Sequence, residues 1–223
     1  MEYQHIRDRA IGVAYVLGPT LLVISASCLL LDIGRNPGAM SWGSSTEGVI
    51  GFYGFILLVP VFLSLADYLG HCKPKLAIVV SALALVGFAG GGVFNMTIRA
   101  VIPDLMAVGM TESMTDQLQA RIESGQGTLI PLVLTGPLVP ISSILLGIGL
   151  LLAGRIRARA WLLIAAGALF MMGQLLLVWT EFMYILALAM WAVALIPIGV
   201  SLLRGNHLQR ILETPGPVET HAV

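Results

Sequence analysis

Four residues spaced by four, Gly87, Gly91, Asn95 and Arg99, carry the densest chemical signal in this chain. On an α-helix, residues four apart share one face. The two glycines let a neighbouring helix approach closely, as small-xxx-small pairs do in membranes. Asn95 and Arg99 then add polar chemistry further along the same helix. A charge at the centre of a bilayer costs about 2.5–3.5 kcal/mol on insertion scales, and Arg99, nearer the interface, costs less. Two roles are open to it. It can snorkel to the headgroups along its aliphatic stem, or it can turn inward and pair with an acid. Glu181 falls at a similar depth, and Asp32 and Asp104 are further candidates. Gln174 precedes Glu181 by two helical turns. The sharpest expectation is an outer-leaflet pocket lined by Asn95, Arg99, Gln174 and Glu181, which requires the third and fifth spans to meet.

A second cluster, Ser64, Asp67, Tyr68, His71 and Cys72, ends the second span. Asp67 and His71 are four apart, so they can share a proton, as a relay needs. A helix end at the headgroups explains the same residues, because a histidine there complements the C-terminal dipole. A metal usually takes three or four ligands. The other histidines, His5, His207 and His221, lie in the termini, so neither a metal nor another cofactor is expected. Prolines interrupt several spans (Pro19, Pro60, Pro131, Pro137, Pro140, Pro197). Such breaks mark binding sites in some transporters and are silent in other membrane helices. Gly-x-Ser-x-Gly and His-Glu-x-x-His are absent, and no nucleophile stands at catalytic spacing from a base.

The elements that position these residues follow from composition. The chain has 223 residues, 57% hydrophobic and 11% charged, with no formal net charge. Soluble domains carry about 25% charge, so this chain cannot cover a water-facing surface. A soluble enzyme, a nucleic-acid binder and a disordered chain are excluded. The expected class is an all-α polytopic membrane protein, a single domain of six transmembrane helices over residues 1–204. The spans are 10–31, 49–69, 76–102, 128–153, 160–180 and 182–203, each near the length that crosses a bilayer. Backbone groups in lipid must be paired internally, so spans lacking barrel alternation are helices. The first is read as an uncleaved start-transfer helix, since its apolar run exceeds that of a signal peptide.

Lysine and arginine favour cytoplasmic ends. Arg7, Arg9, Lys73, Lys75, Arg155, Arg157, Arg159, Arg204 and Arg210 fall on one side; Arg35, Arg99 and Arg121 fall on the other. Both termini are therefore expected in the cytoplasm, in a cell (inner) membrane. The outer loop after the third span repeats Met110, Met114, Leu118 and Ile122, the pattern of an amphipathic helix. Residues 205–223, rich in polar residues, read as a flexible cytoplasmic tail. Cys28 and Cys72 fall near opposite bilayer faces, beyond disulfide reach.

Three functions fit. The first is binding of a lipid or small apolar ligand, or service as a partner subunit or homo-oligomer in the bilayer. The second is a small transporter or channel subunit, which needs polar groups across the whole membrane. The third is an intramembrane lipid-modifying enzyme, with Glu181 or Asp104 as acid/base and Arg99 holding an anionic group. The sparse charge in the spans favours the first, and no nucleic-acid partner is expected.

Overall fold

The computed structural model describes residues 2–34, 43–123, 134–154, 156–175, 180–208 and 212. Among them the chain is helical, without a strand. Helix α1 spans Glu2–Leu30 and α2 spans Ser45–Gly70. One long rod follows: α3 (Pro74–Leu85), a π-helical segment Val86–Gly92, and α4 (Val93–Ala107). A separate helix, α5, spans Glu112–Glu123 where the amphipathic outer-loop helix was expected. Then come α6 (Leu138–Leu152), α7 (Arg157–Leu175) and α8 (Thr180–Leu203).

Among the described residues, four stretches are long and apolar enough to cross a membrane: Ile6–Leu30, Ser45–Gly70, Pro74–Ala107 and Glu181–Leu203. This is fewer than the six spans expected from sequence. Over its described residues α6 is a shorter apolar helix; the expected span began at 128, and residues 124–133 lie outside the described part. Helix α7 opens on Arg157 and Arg159, ahead of its apolar body. The first helix starts well before Ala10, because charged residues such as Arg7 and Asp8 continue the turn outside any apolar layer.

The rods form an up-and-down ring. Each of α1, α2, the 74–107 rod, α6, α7 and α8 packs on the next, and α8 closes on α1. Lipid tails are as apolar as leucine, so such helices associate by close packing rather than by hydrophobic exclusion of water. Small residues mark the seams. A Cβ placed on Gly12 would meet Leu202 Cβ at 3.0 Å, and one on Gly199 would meet Tyr15 Cβ at 2.6 Å, across the α1–α8 seam. At one end of that seam His207 Nδ1 lies 2.9 Å from Asp8 Oδ2, which puts the start of α1 and the end of α8 on the same face of the bundle. Of the expected tail, the structure describes 205–208 and 212. Leu212 is buried in the core, and Leu208 packs against it half-buried.

Aromatic rings fill the centre of the ring of helices. Phe88 contacts Phe55, Phe62 and Trp191; Trp191 stacks on Phe170 at 5.7 Å between centroids; Phe170 meets Tyr184 edge-on at 5.4 Å. The one polar atom of Trp191 is satisfied. Its Nε1–H donates to Ser143 Oγ at 2.9 Å, and that hydroxyl donates to the Leu163 carbonyl at 2.8 Å. Toward the Asp67 end, Leu58, Val61, Leu65, Leu69, Leu146 and Leu150 are fully buried and apolar.

Candidate functional site

The rod from Pro74 to Ala107 owes its shape to Val86–Gly92, the sequence VGFAGGG. A π-helical turn holds an extra residue and is wider than an α-turn. Three consecutive glycines, Gly90 to Gly92, leave room for it. Two faces of the rod make close contacts. Gly87 and Gly91 both look at the start of α6: a Cβ on Gly87 would meet Val139 N at 2.8 Å, and one on Gly91 would meet Gly136 N at 2.5 Å. Gly92 looks instead at α2, where a Cβ would meet the Phe55 ring at 2.6 Å. Met96 continues that second face, with its sulfur against Gly51. The rod thus wedges between α2 and α6.

One turn beyond Met96, Arg99 meets an acid that the sequence reading had not paired with it. Its Nη1 hydrogen-bonds to Glu47 Oε1 in a direct ion pair. Glu47 has no exposed surface. Its carboxylate accepts one more hydrogen bond, and its main chain is tied to the same partner. Ser44 is the N-cap of α2, and its hydroxyl accepts from Glu47 N–H at 3.1 Å while Ser44 N–H donates to Glu47 Oε2 at 3.2 Å. This reciprocal capping box satisfies two otherwise orphaned donors. The positive end of the α2 dipole favours the same negative charge. Ser25 Oγ on α1 donates to the Glu47 carbonyl at 2.9 Å. Gly43 passes with φ +73, and a Cβ there would lie 2.8 Å from Arg99 Nη1, so only a glycine fits beside the pair.

Asn95 completes the arrangement: its Oδ1 accepts from Arg99 Nε at 2.9 Å. Two of the guanidinium's edges are therefore fixed by named partners. Beside them opens a cavity of about 180 Å³. Its polar edge holds Asn95, Arg99 and Tyr184; its apolar wall holds Leu29, Phe55, Met96, Val139 and Phe170. Gly91, Gly92, Gly136 and Gly173 bring main chain to the surface. The hydroxyl of Tyr184 is buried and has no hydrogen-bond partner among the described residues.

The cavity lies between the 74–107 rod and α7, which face each other across it. Gly91, Asn95, Met96 and Arg99 line one side, and Phe170 and Gly173 line the other. Of the four residues expected to form an outer pocket, Asn95 and Arg99 are together on the cavity. Glu181, in the first turn of α8, is not among the lining residues; Tyr184, one turn further in, is. The backbone of Gln174 is in α7, but its side chain lies outside the described part of the structure. Glu47, Tyr184 and the aromatic wall were missed. Glu47 had a signal, since Ser44-x-x-Glu47 stands directly before an apolar run. Tyr184 had none, because an aromatic near a span end reads first as an interfacial anchor.

The other cluster is arranged differently. His71 Nδ1 lies 3.2 Å from the main-chain carbonyl of Asp67 and 3.3 Å from that of Tyr68. The ring nitrogen thus bonds carbonyls at the end of α2, and the Asp67 and His71 side chains are exposed. Ser64 instead bonds the hydroxyl of Tyr15 at 3.0 Å, tying α1 to α2. Among the described residues, no group of three or more His, Cys, Asp or Glu side chains is placed to hold a metal. Both cysteines are free, Cys28 buried and Cys72 exposed.

Comparison with protein-family models, with curated proteins and with solved structures finds no match for this chain. Function is therefore read from the cavity and its residues.

Proposed function

We propose that this is a multi-pass protein of the inner membrane, with six spans and both termini in the cytoplasm, that binds a small apolar or amphipathic molecule in its outer half. The observation that carries the reading is the cavity between the third, fifth and sixth spans, apolar on one wall and polar on the other. Binding sites of this kind pair a largely apolar lining with a few placed polar groups. At about 180 Å³ it exceeds the engineered 150 Å³ cavity that takes up benzene, so a single ring or a short chain segment fits.

The aromatic layer beneath the cavity favours binding over transport. Phe62, Phe88 and Trp191 are fully buried, as are Leu65 and Leu69 below them. A polar path would have to cross this layer to reach Asp67 and His71. Catalysis on a lipid would need Glu181 or Asp104 beside Arg99, and neither lines the cavity.

The test is mass spectrometry of small molecules retained by the purified full chain, wild type beside Leu29→Trp. Leu29 lines the cavity from α1, and the larger ring fills it. A specific molecule kept by the wild type and lost in the variant, with unchanged thermal unfolding, supports the proposal. The same molecules at the same levels in both proteins would sink it.

A further inference from the structure

The polar edge of the cavity has a chemical sense that restricts what it accepts. Arg99, the cation on this edge, is already neutralised by Glu47, whose carboxylate is wholly buried. Asn95 spends its carbonyl oxygen on Arg99 Nε, which leaves its NH2 group as its remaining polar function. Tyr184 contributes a buried hydroxyl with no hydrogen-bond partner among the described residues. What these two residues offer are N–H and O–H donors. An anion would have to draw Arg99 from Glu47 and leave a buried carboxylate beside itself, or bind next to that carboxylate against its repulsion. It would also lose its own hydration on entering an apolar cavity.

We infer that the cavity selects an uncharged hydrogen-bond acceptor, a ketone or ester carbonyl, on an apolar body the size of a single ring, and discriminates against an anion. This rests on the binding reading above and adds the ligand class. Tyr184 and Asn95 are the specificity-determining donors. The Glu47–Arg99 pair keeps the edge neutral. The carbonyl can come from a free small molecule or from the ester of a bilayer lipid.

The experiment is a 19F NMR titration of the full chain in lipid nanodiscs with three matched probes: 4-fluoroacetophenone, 1-ethyl-4-fluorobenzene and 4-fluorobenzoate. Wild type, Tyr184→Phe and Leu29→Trp are compared. Saturable binding lost in Leu29→Trp locates the probes in the cavity. The ketone should bind the wild type about fivefold tighter than the ethyl probe, the worth of one ordinary hydrogen bond. Tyr184→Phe should erase that preference while leaving the ethyl probe unchanged. Repeating the titration in ether-lipid discs separates the two sources. A ketone that binds tighter there has been competing with ester carbonyls, whereas equal binding in both discs assigns the site to a free molecule. Equal affinity of ketone and ethyl probe in wild type overturns the carbonyl inference but leaves a ligand-binding cavity. Benzoate binding tightest overturns it in favour of an anion site. No probe bound saturably, or none affected by Leu29→Trp, overturns the binding reading and this inference with it.

Discussion

Removing Arg99 alone would leave Glu47 as a buried carboxylate without its cation. Breaking one side of a buried ion pair costs about 3–5 kcal/mol, whereas replacing both partners by neutral groups is often tolerated. The Glu47 side chain is 0% exposed and that of Arg99 25% exposed, so the two deletions should be unequal. Arg99→Ala is expected to destabilise the protein by about 3 kcal/mol or more. Glu47→Gln should cost less, because the freed guanidinium can turn toward headgroups. The double variant Arg99→Ala with Glu47→Gln should recover much of the loss, because no buried charge is then left unpaired. Denaturant unfolding in micelles of all four proteins closes the cycle, and additive effects would show that the pair is not coupled. The same asymmetry makes Arg99→Ala a poor probe of ligand binding, since it disturbs the cap of α2 as well as the cavity edge. At this scale the site was half legible. Asn95 and Arg99 stand out because polar groups in an apolar span are expensive. Glu47 did not, because it sits at a span boundary where acids are common and its depth depends on how far α2 extends. A tyrosine's missing partner cannot be read from sequence at all.

The widened turn in the 74–107 rod is where element-level packing decides the site. Gly91 permits main chain to lie on main chain, with Gly136 N only 2.5 Å from where a Cβ would stand. Backbone cannot rotate away as a side chain can. Gly91→Ala should therefore force α6 outward, at the upper end of the 1–3 kcal/mol typical of overpacking, and lower the thermal midpoint clearly. Gly90→Ala is the matched control. A Cβ there meets only the Thr135 side chain, at 3.0 Å, and alanine gains up to about 1 kcal/mol of helix propensity over glycine. Its midpoint should stay level or rise. Equal losses in both would mean that the glycines serve the π-turn itself rather than the contact with α6. The helices were legible as long apolar runs, and their close contacts as glycines. The extra residue in the turn was not legible, because four-residue spacing assumes an α-helix throughout. Gly92 and Met96 are themselves four apart, one residue on from the spaced set, and form a second face toward α2 while Gly87 and Gly91 face α6.

At the scale of the whole molecule, the cavity acquires a side of the membrane only through the topology. The structure puts the start of α1 and the end of α8 together, with His207 on Asp8, and an even number of crossings follows if every rod of the ring spans. In the topology we propose, that end faces the cytoplasm, a reading that rests on the positive-inside rule applied to Arg7, Arg9, Lys73, Lys75, Arg157, Arg159 and Arg204. Cys72 sits at the same end and is exposed, while Cys28 is buried, so the native chain carries its own reporter. A membrane-impermeant maleimide should leave Cys72 unlabelled in intact spheroplasts and label it in inside-out vesicles. Ser113→Cys, on exposed α5 at the opposite end, should give the reverse pattern when combined with Cys72→Ser. Labelling of Cys72 from outside would invert the protein and move the cavity to the inner leaflet. Its ligand would then have to come from the cytoplasmic side, and the polar edge formed by Asn95, Arg99 and Tyr184 would lie in that leaflet instead.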